Sequence, residues 1–214
     1  MTIDAELLNS RLQHVYWIGG GSGAGKSTTA RRLAARYGMQ LYSTDDVMPD
    51  HVRRCDPEDS PCLTAFRRMD MDERWVNRSP EAMLETFHWF RGEGFGLILE
   101  DLLKLPSGER IIVEGFRLLP KLVQPLLRQP HQGIWLIPTP QFRLSAFETR
   151  GSLWTIAETT SDPRRALDNL LRRDHMFTER LRCDAAEAGV PLVEVDGTLS
   201  EDTLEAHVAR QFIL

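Results

Sequence analysis

Apolar residues along the chain fall into two alternating patterns. Short β-branched and aromatic runs occur at 14–19 (HVYWIG), 39–43 (MQLYS), 110–114 (RIIVE), 133–138 (GIWLIP) and 191–196 (PLVEVD), and each reads as a buried strand. Between them the apolar positions recur at helical spacing. Ala30, Leu33, Ala34 and Tyr37 form one stripe, which Gly38 stops. Met83, Leu84, Phe87, Phe90, Ile98, Leu102 and Leu103 extend a helical pattern over 80–105, which the glycines at 92, 94 and 96 bend or break. Leu167, Leu170, Leu171, Phe177 and Leu181 mark another helix, and a last one runs to Phe212 after a turn capped by Thr198 or Ser200. Strands that alternate with helices predict a parallel sheet covered on both faces.

The join between the first strand and the first helix carries the most specific chemistry. Gly20, Gly21, Ser22, Gly23, Ala24, Gly25, Lys26 and Ser27 read GGSGAGKS, matching every position of a phosphate-binding P-loop. Such a loop wraps a di- or triphosphate with its backbone N–H groups turned inward, and side chains at the glycines would obstruct it. Lys26 is expected to bridge the β- and γ-phosphates. The Ser27 hydroxyl is expected to ligate Mg²⁺, and Thr28 continues the site into the helix. A strand, a glycine loop and a helix N-terminus supply the dipole and free N–H groups that hold an anion.

Length and composition narrow the classes. A chain of 214 residues, 42% hydrophobic, supports one α/β domain with an insertion or lid. The net charge of −5 argues against a general nucleic-acid binder. The first residues lack the apolar core of a signal peptide, and no run reaches membrane-spanning length, so a cytoplasmic protein without membrane partners is expected. Cys55, Cys62 and Cys183 form no C-x-x-C pair and read as reduced thiols rather than metal ligands.

With its P-loop near the N-terminus, acids at two strand ends and arginines after the fourth strand, the chain resembles the nucleotide-kinase branch of P-loop proteins. That group includes nucleoside monophosphate kinases, shikimate and gluconate kinases, chloramphenicol phosphotransferase and zeta toxins. The resemblance implies a three-layer α/β kinase fold with a five-stranded parallel sheet ordered 2-3-1-4-5. It divides a single domain, 1–214, into a core (12–46 and 107–214), an acceptor-binding helical insertion (47–106) and an arginine-bearing lid (about 148–165).

Asp45 and Asp46 follow the second strand, at the sheet edge where the P-loop opens. Asp45 matches the acid that activates an acceptor hydroxyl in sugar and antibiotic kinases. Asp46 is expected either to contact the acceptor or to cap the next helix. Glu114 ends the third strand and resembles the second magnesium-proximal acid of P-loop enzymes. Arg117, in Glu114-Gly115-Phe116-Arg117, is similar to the zeta-toxin arginine that faces the acceptor. Among Arg143, Arg150, Arg164, Arg165, Arg172 and Arg173, the monophosphate-kinase lid pattern points to Arg150 and Arg165 as catalytic, although Arg172 and Arg173 come a helical turn too early for it. In the insertion, arginines accompany Trp75, Trp89 and Phe90, and Trp75 is the leading acceptor-binding candidate.

The expected activity is an ATP- and Mg²⁺-dependent transfer of the γ-phosphoryl group to a small-molecule acceptor. Two alternatives stand beside it: a zeta-toxin-type nucleotide-sugar or polynucleotide kinase, and an ATP-binding switch or ATPase with no acceptor.

Overall fold

The computed structural model describes residues 5–150 and 152–214, with side chains described for 7–146 and 155–214. The chain begins α1 (Ala5–Arg11), β1 (Val15–Gly20), α2 (Lys26–Tyr37) and β2 (Gln40–Ser43). Short helices follow: α3 (Met48–Arg54), α4 (Pro61–Arg68), α5 (Met71–Trp75), α6 (Pro80–Thr86), a 3₁₀ turn at His88–Arg91, and α7 (Phe95–Lys104). The core resumes with β3 (Ile111–Glu114), α8 (Pro120–Val123), β4 (Gly133–Pro138), α9 (Pro140–Arg150) and α10 (Ser152–Ala157). It ends with α11 (Pro163–Ala188), β5 (Leu192–Val195) and α12 (Glu201–Phe212).

All five strands are parallel and stand in the order β2-β3-β1-β4-β5. Each lies within one residue of its predicted run. Side-chain alternation divides the strands between two cores. Ile18, Ile112, Ile134 and Leu136 face Leu33 of α2 and Val208 and Phe212 of α12. Val15, Trp17, Ile111, Val113 and Trp135 face Leu12, Ile98 and Leu102 on the other side. Helix α7 therefore packs on the sheet, although its sequence position groups it with the insertion.

The pattern over 80–105 is broken first at Phe87, whose extended backbone ends α6, and again at the glycines. Gly92 and Gly94 both adopt left-handed backbone, which ends the 3₁₀ turn and starts α7, whereas Gly96 sits inside that helix. The α11 stripe is continuous over the whole helix, and Gly189 ends it in the left-handed region. Ser200 caps α12 by accepting from the Thr203 N–H.

A polar cluster fixes α3 against the sheet edge. Tyr42 on β2, His51 and Arg54 on α3 all donate to the Asp101 carboxylate on α7, at 2.9, 2.8 and 2.7 Å. Burial alone raises the Asp101 pKa, but the three hydrogen bonds outweigh it and bring it down to about 2. With Asp101 ionised and His51 held neutral by burial, the His51 proton sits on Nε2. The start of the insertion is thus tied to β2, three residues before Asp45.

Gly115, directly after β3, packs tightly against the turn that follows β2. Its φ is +147°, and a Cβ there would lie 1.7 Å from Thr44 Oγ1. Gly115→Ala is expected to destabilise the fold by about 1–3 kcal/mol, read from the urea midpoint. An unchanged midpoint would mean that Thr44 moves aside freely.

Candidate active site

The P-loop leaves the central strand and closes on α2. Gly20 at φ +129° lets β1 approach β4 so closely that a Cβ would meet Leu136 O at 2.0 Å. The next residue is pinned to the same carbonyl, since the Gly21 N–H donates to Leu136 O at 3.0 Å. Helix α2 starts at Lys26 with no acidic residue in its first turn, so its positive end remains free to face an anion. Lys26 is buried, and its Nζ donates to Gly21 O at 2.8 Å, folding the side chain back over the loop. Ala24 is buried in the core beneath, so its side chain serves packing.

Strand register brings the acids to the same edge. Glu114 pairs across the sheet with Ile18 on one side and with Ser43 on the other. It is 2% exposed, and burial raises its pKa against the opposing charge of Lys26. Ser43 and Ser27 lie near enough to draw that pKa back down, so the residue expected to ligate Mg²⁺ from the loop is close to the one expected from the strand. Glu114 Oε2 has no hydrogen-bond partner among the described residues, despite being buried. An orphaned carboxylate oxygen beside a serine hydroxyl suits Mg²⁺ or a water bound to it. Among the described residues no group of three or more His, Cys, Asp or Glu side chains is placed to hold a metal ion by itself.

Asp45 lies in the turn after β2, with Thr44 Oγ1 donating to its Oδ1 at 3.5 Å. Its carboxyl is reachable by solvent, but the cleft walls withhold bulk water and push its pKa up. Lys26 and Arg117 are near enough for their charges to oppose that rise. Asp46 is also exposed. Neither side chain caps α3, whose N-cap is Val47 with no side-chain bond.

Two cavities flank the loop. One of about 450 Å³ is lined by Ser22 of the loop, Met48 of α3 and a set of rings that includes Phe66, Trp75, Phe87 and Phe116. Trp75 is part of that wall. Asn169 of α11 holds the end of its helix by donating to Trp75 O and Val76 O at 3.0 and 3.2 Å. Glu93 braces the wall by accepting from the Cys62 and Leu63 N–H groups at the start of α4. The other cavity, about 260 Å³, lies between Gly23, Gly25 and Thr28, Phe142 and Ser145 of α9, and Leu199 in the β5–α12 turn.

The arginines sort differently from the expected lid pattern. Arg165 is exposed in the first turn of α11, and the Arg150 side chain lies outside the described residues. Arg143 is 4% exposed beside the loop, its Cγ 3.6 Å from where a Gly23 Cβ would stand. Its Nη1 donates to Thr178 Oγ1 at 3.2 Å, while its Nε is buried without a partner among the described residues. Arg173 is 6% exposed and lines the aromatic cavity. One signal was available for Arg173: it falls in phase with Ala166, Leu170, Phe177 and Leu181, all buried on the inner face of α11. An arginine in an apolar stripe requires a partner or a ligand. Arg117 is 2% exposed and engaged with protein, donating to Thr44 O at 3.3 Å and Gly94 O at 3.2 Å and lying 3.9 Å over the Trp89 ring. Burial lowers its pKa to about 10, so it remains charged at neutral pH. It joins the residue before Asp45 to the start of α7.

No protein-family model and no curated protein matches the sequence. Solved structures do match the fold. Deoxyadenosine kinase from M. mycoides, solved with bound dATP, superposes with a TM-score of 0.50 at 15% identity, covering 94% of this chain and 100% of that one. An uncharacterized protein from Eubacterium ventriosum gives a TM-score of 0.50 at 13% identity, covering 93% and 98%. The chain has the three-layer fold of the P-loop kinases. Among the described residues no helix is long and apolar enough to cross a membrane.

Proposed function

We propose that the chain is an ATP- and Mg²⁺-dependent kinase that transfers the γ-phosphoryl group to a hydroxyl of a small molecule. The observation that carries this reading is the pair of separate cavities that meet one glycine loop, the larger at Ser22 and the smaller at Gly23 and Gly25, with the charge of Lys26 near enough to Asp45 to act on it. A transferase needs two substrate sites that meet at a phosphate; an ATPase needs one.

In this reading the cavity at Thr28 and Phe142 takes the base and sugar of ATP, and the loop amides take its phosphates. Ser27 and Glu114 hold Mg²⁺, which when bound neutralises charge on the phosphates. The acceptor enters from the aromatic side. Its oxygen forms a bond to the γ-phosphorus in line with the bond that breaks to the β-phosphate oxygen, and ADP leaves. Asp45 accepts the hydroxyl proton. Lys26 and Arg143 meet the charge spread over the transferring group. Arg117 acts as a positioning residue, holding the Thr44–Asp45 turn.

Arg143→Gln is expected to lower kcat by about 10²-fold with little change in nucleotide affinity. Equal loss of both would assign Arg143 to binding. The reading itself is tested by ATP turnover across a panel of alcohols. Stimulation by at least one acceptor, with a phosphorylated product, supports it. Turnover indifferent to every acceptor favours the ATPase or switch.

A further inference from the structure

The acceptor cavity specifies more than the presence of an acceptor. Six of its wall residues are large aromatic rings: Phe66, Trp75, Phe87, Trp89, Phe90 and Phe116. They brace one another. Phe66 meets Trp75 edge-on at 5.4 Å and Phe87 at 5.6 Å, and Phe87 meets Phe90 at 4.8 Å. Phe90 is in turn stacked on Phe177 of α11 at 3.6 Å. Rings held in this way form a preorganised apolar slot, and about 450 Å³ accommodates a ligand of one or two rings.

Polar recognition in the slot is sparse and specific. The Arg173 guanidinium lies 5.2, 4.8 and 5.2 Å from the Trp75, Phe87 and Phe90 ring centres. Its Nε and Nη2 both donate to Asp174 Oδ1, at 3.0 and 2.6 Å, so the pair carries no net charge. Nη1 is left buried without a partner among the described residues, a donor nitrogen with no acceptor. His88 adjoins Phe66 and Trp89 and is neutral, because burial and three surrounding arginines bring its pKa to about 3. Arg74 turns its donors to Phe66 O, Arg67 O and Met71 Sδ, and Arg67 is exposed.

Resting on the kinase reading, we infer that the acceptor is an uncharged alcohol with a flat aromatic ring, whose ring nitrogen or carbonyl accepts from Arg173 Nη1 while its hydroxyl points to the Ser22 end of the cavity. A sugar or polyol would bring several hydroxyls into a slot with too few partners for them. A carboxylate or phosphate at the inner end would meet a cation already neutralised by Asp174.

The probes are deoxyadenosine, thymidine and pyridoxine on one side, and glucose, gluconate, shikimate and dAMP on the other. Binding is measured without ATP, by quenching of tryptophan fluorescence and by equilibrium dialysis. Phosphoryl transfer is measured separately. At least one ring alcohol is expected to bind saturably, at least tenfold tighter than every sugar, hydroxy acid and monophosphate. Arg173→Gln is expected to weaken it at least tenfold with ATP affinity unchanged. Should that variant fail to fold, Val52→Phe fills the cavity from α3 and is expected to block the same ligand. No saturable binding by any ring alcohol up to millimolar concentration overturns the inference. So does tighter binding of a sugar, hydroxy acid or dAMP, or retention of the ring alcohol by both variants. A ring alcohol that binds through Arg173 but receives no phosphate leaves the ligand class of the cavity standing and overturns its role as acceptor, and with it the kinase reading. Phosphorylation of sugars alone does the reverse.

Discussion

Lys26→Ala is expected to reduce ATP turnover by about 10³-fold or more while the fold persists. The side chain reaches from the first residue of α2 back over the loop to Gly21 O, which places its charge over the concavity rather than in solvent. Water cannot easily replace that charge as the phosphates approach the transition state, because the lysine is only 8% exposed. A second effect adds to the first. Lys26 opposes the upward pKa shift of both Asp45 and Glu114, so its loss raises both and reduces the ionised fraction of each. The measurement is single-turnover transfer at saturating ATP, with ATP affinity by calorimetry. Retention of a tenth of the wild-type rate would remove Lys26 from the chemistry. Lys26→Arg separates charge from shape: if a point charge at that reach is required, it does not restore the rate.

The contiguous parts of the site were legible from residue order, and the assembled parts were not. The P-loop occupies eight successive residues, and the strands lie within one residue of their predicted runs, because period and breaker residues act locally. The sheet order, by contrast, came from resemblance. Periodicity does not say that β1 lies between β3 and β4. Arg117 shows the limit most clearly. Its partners at Thr44 and Gly94 are 73 and 23 residues away, so no local pattern distinguishes an arginine spent on two carbonyls from one facing a ligand. The aromatic slot is similar. Phe66, Trp75 and Phe87 belong to three separate short segments whose packing depends on α11, and only their abundance was visible. Arg165 matched a motif and is exposed, while Arg173 broke the motif by a turn and is buried. Phase within the α11 stripe was a better guide to burial than spacing from another family's lid, because it reflects which face of this helix meets this core.

Asp45→Asn is expected to lower transfer to a hydroxyl acceptor by about 10²-fold or more, with ATP affinity kept. The amide preserves shape but cannot take the proton. The same substitution is expected to stabilise the folded chain. The cleft raises the Asp45 pKa above its ordinary value, so in that window the folded state binds more protons than the unfolded one. Stability therefore falls as pH rises from the ordinary aspartate range through the raised pKa, and the ionised carboxylate is a net cost at neutral pH. Replacing it with Asn removes that cost, and the gain in melting temperature should shrink as pH is lowered. Catalysis runs the opposite way: the wild-type rate should fall as pH drops through the raised pKa, because the base must be ionised to accept. A variant that loses activity and gains stability, both with the same acidic midpoint, would identify one carboxylate as the origin of both effects. A variant with normal turnover at all pH values would transfer the role of base away from Asp45, and Asp46 is the next carboxylate along the same turn.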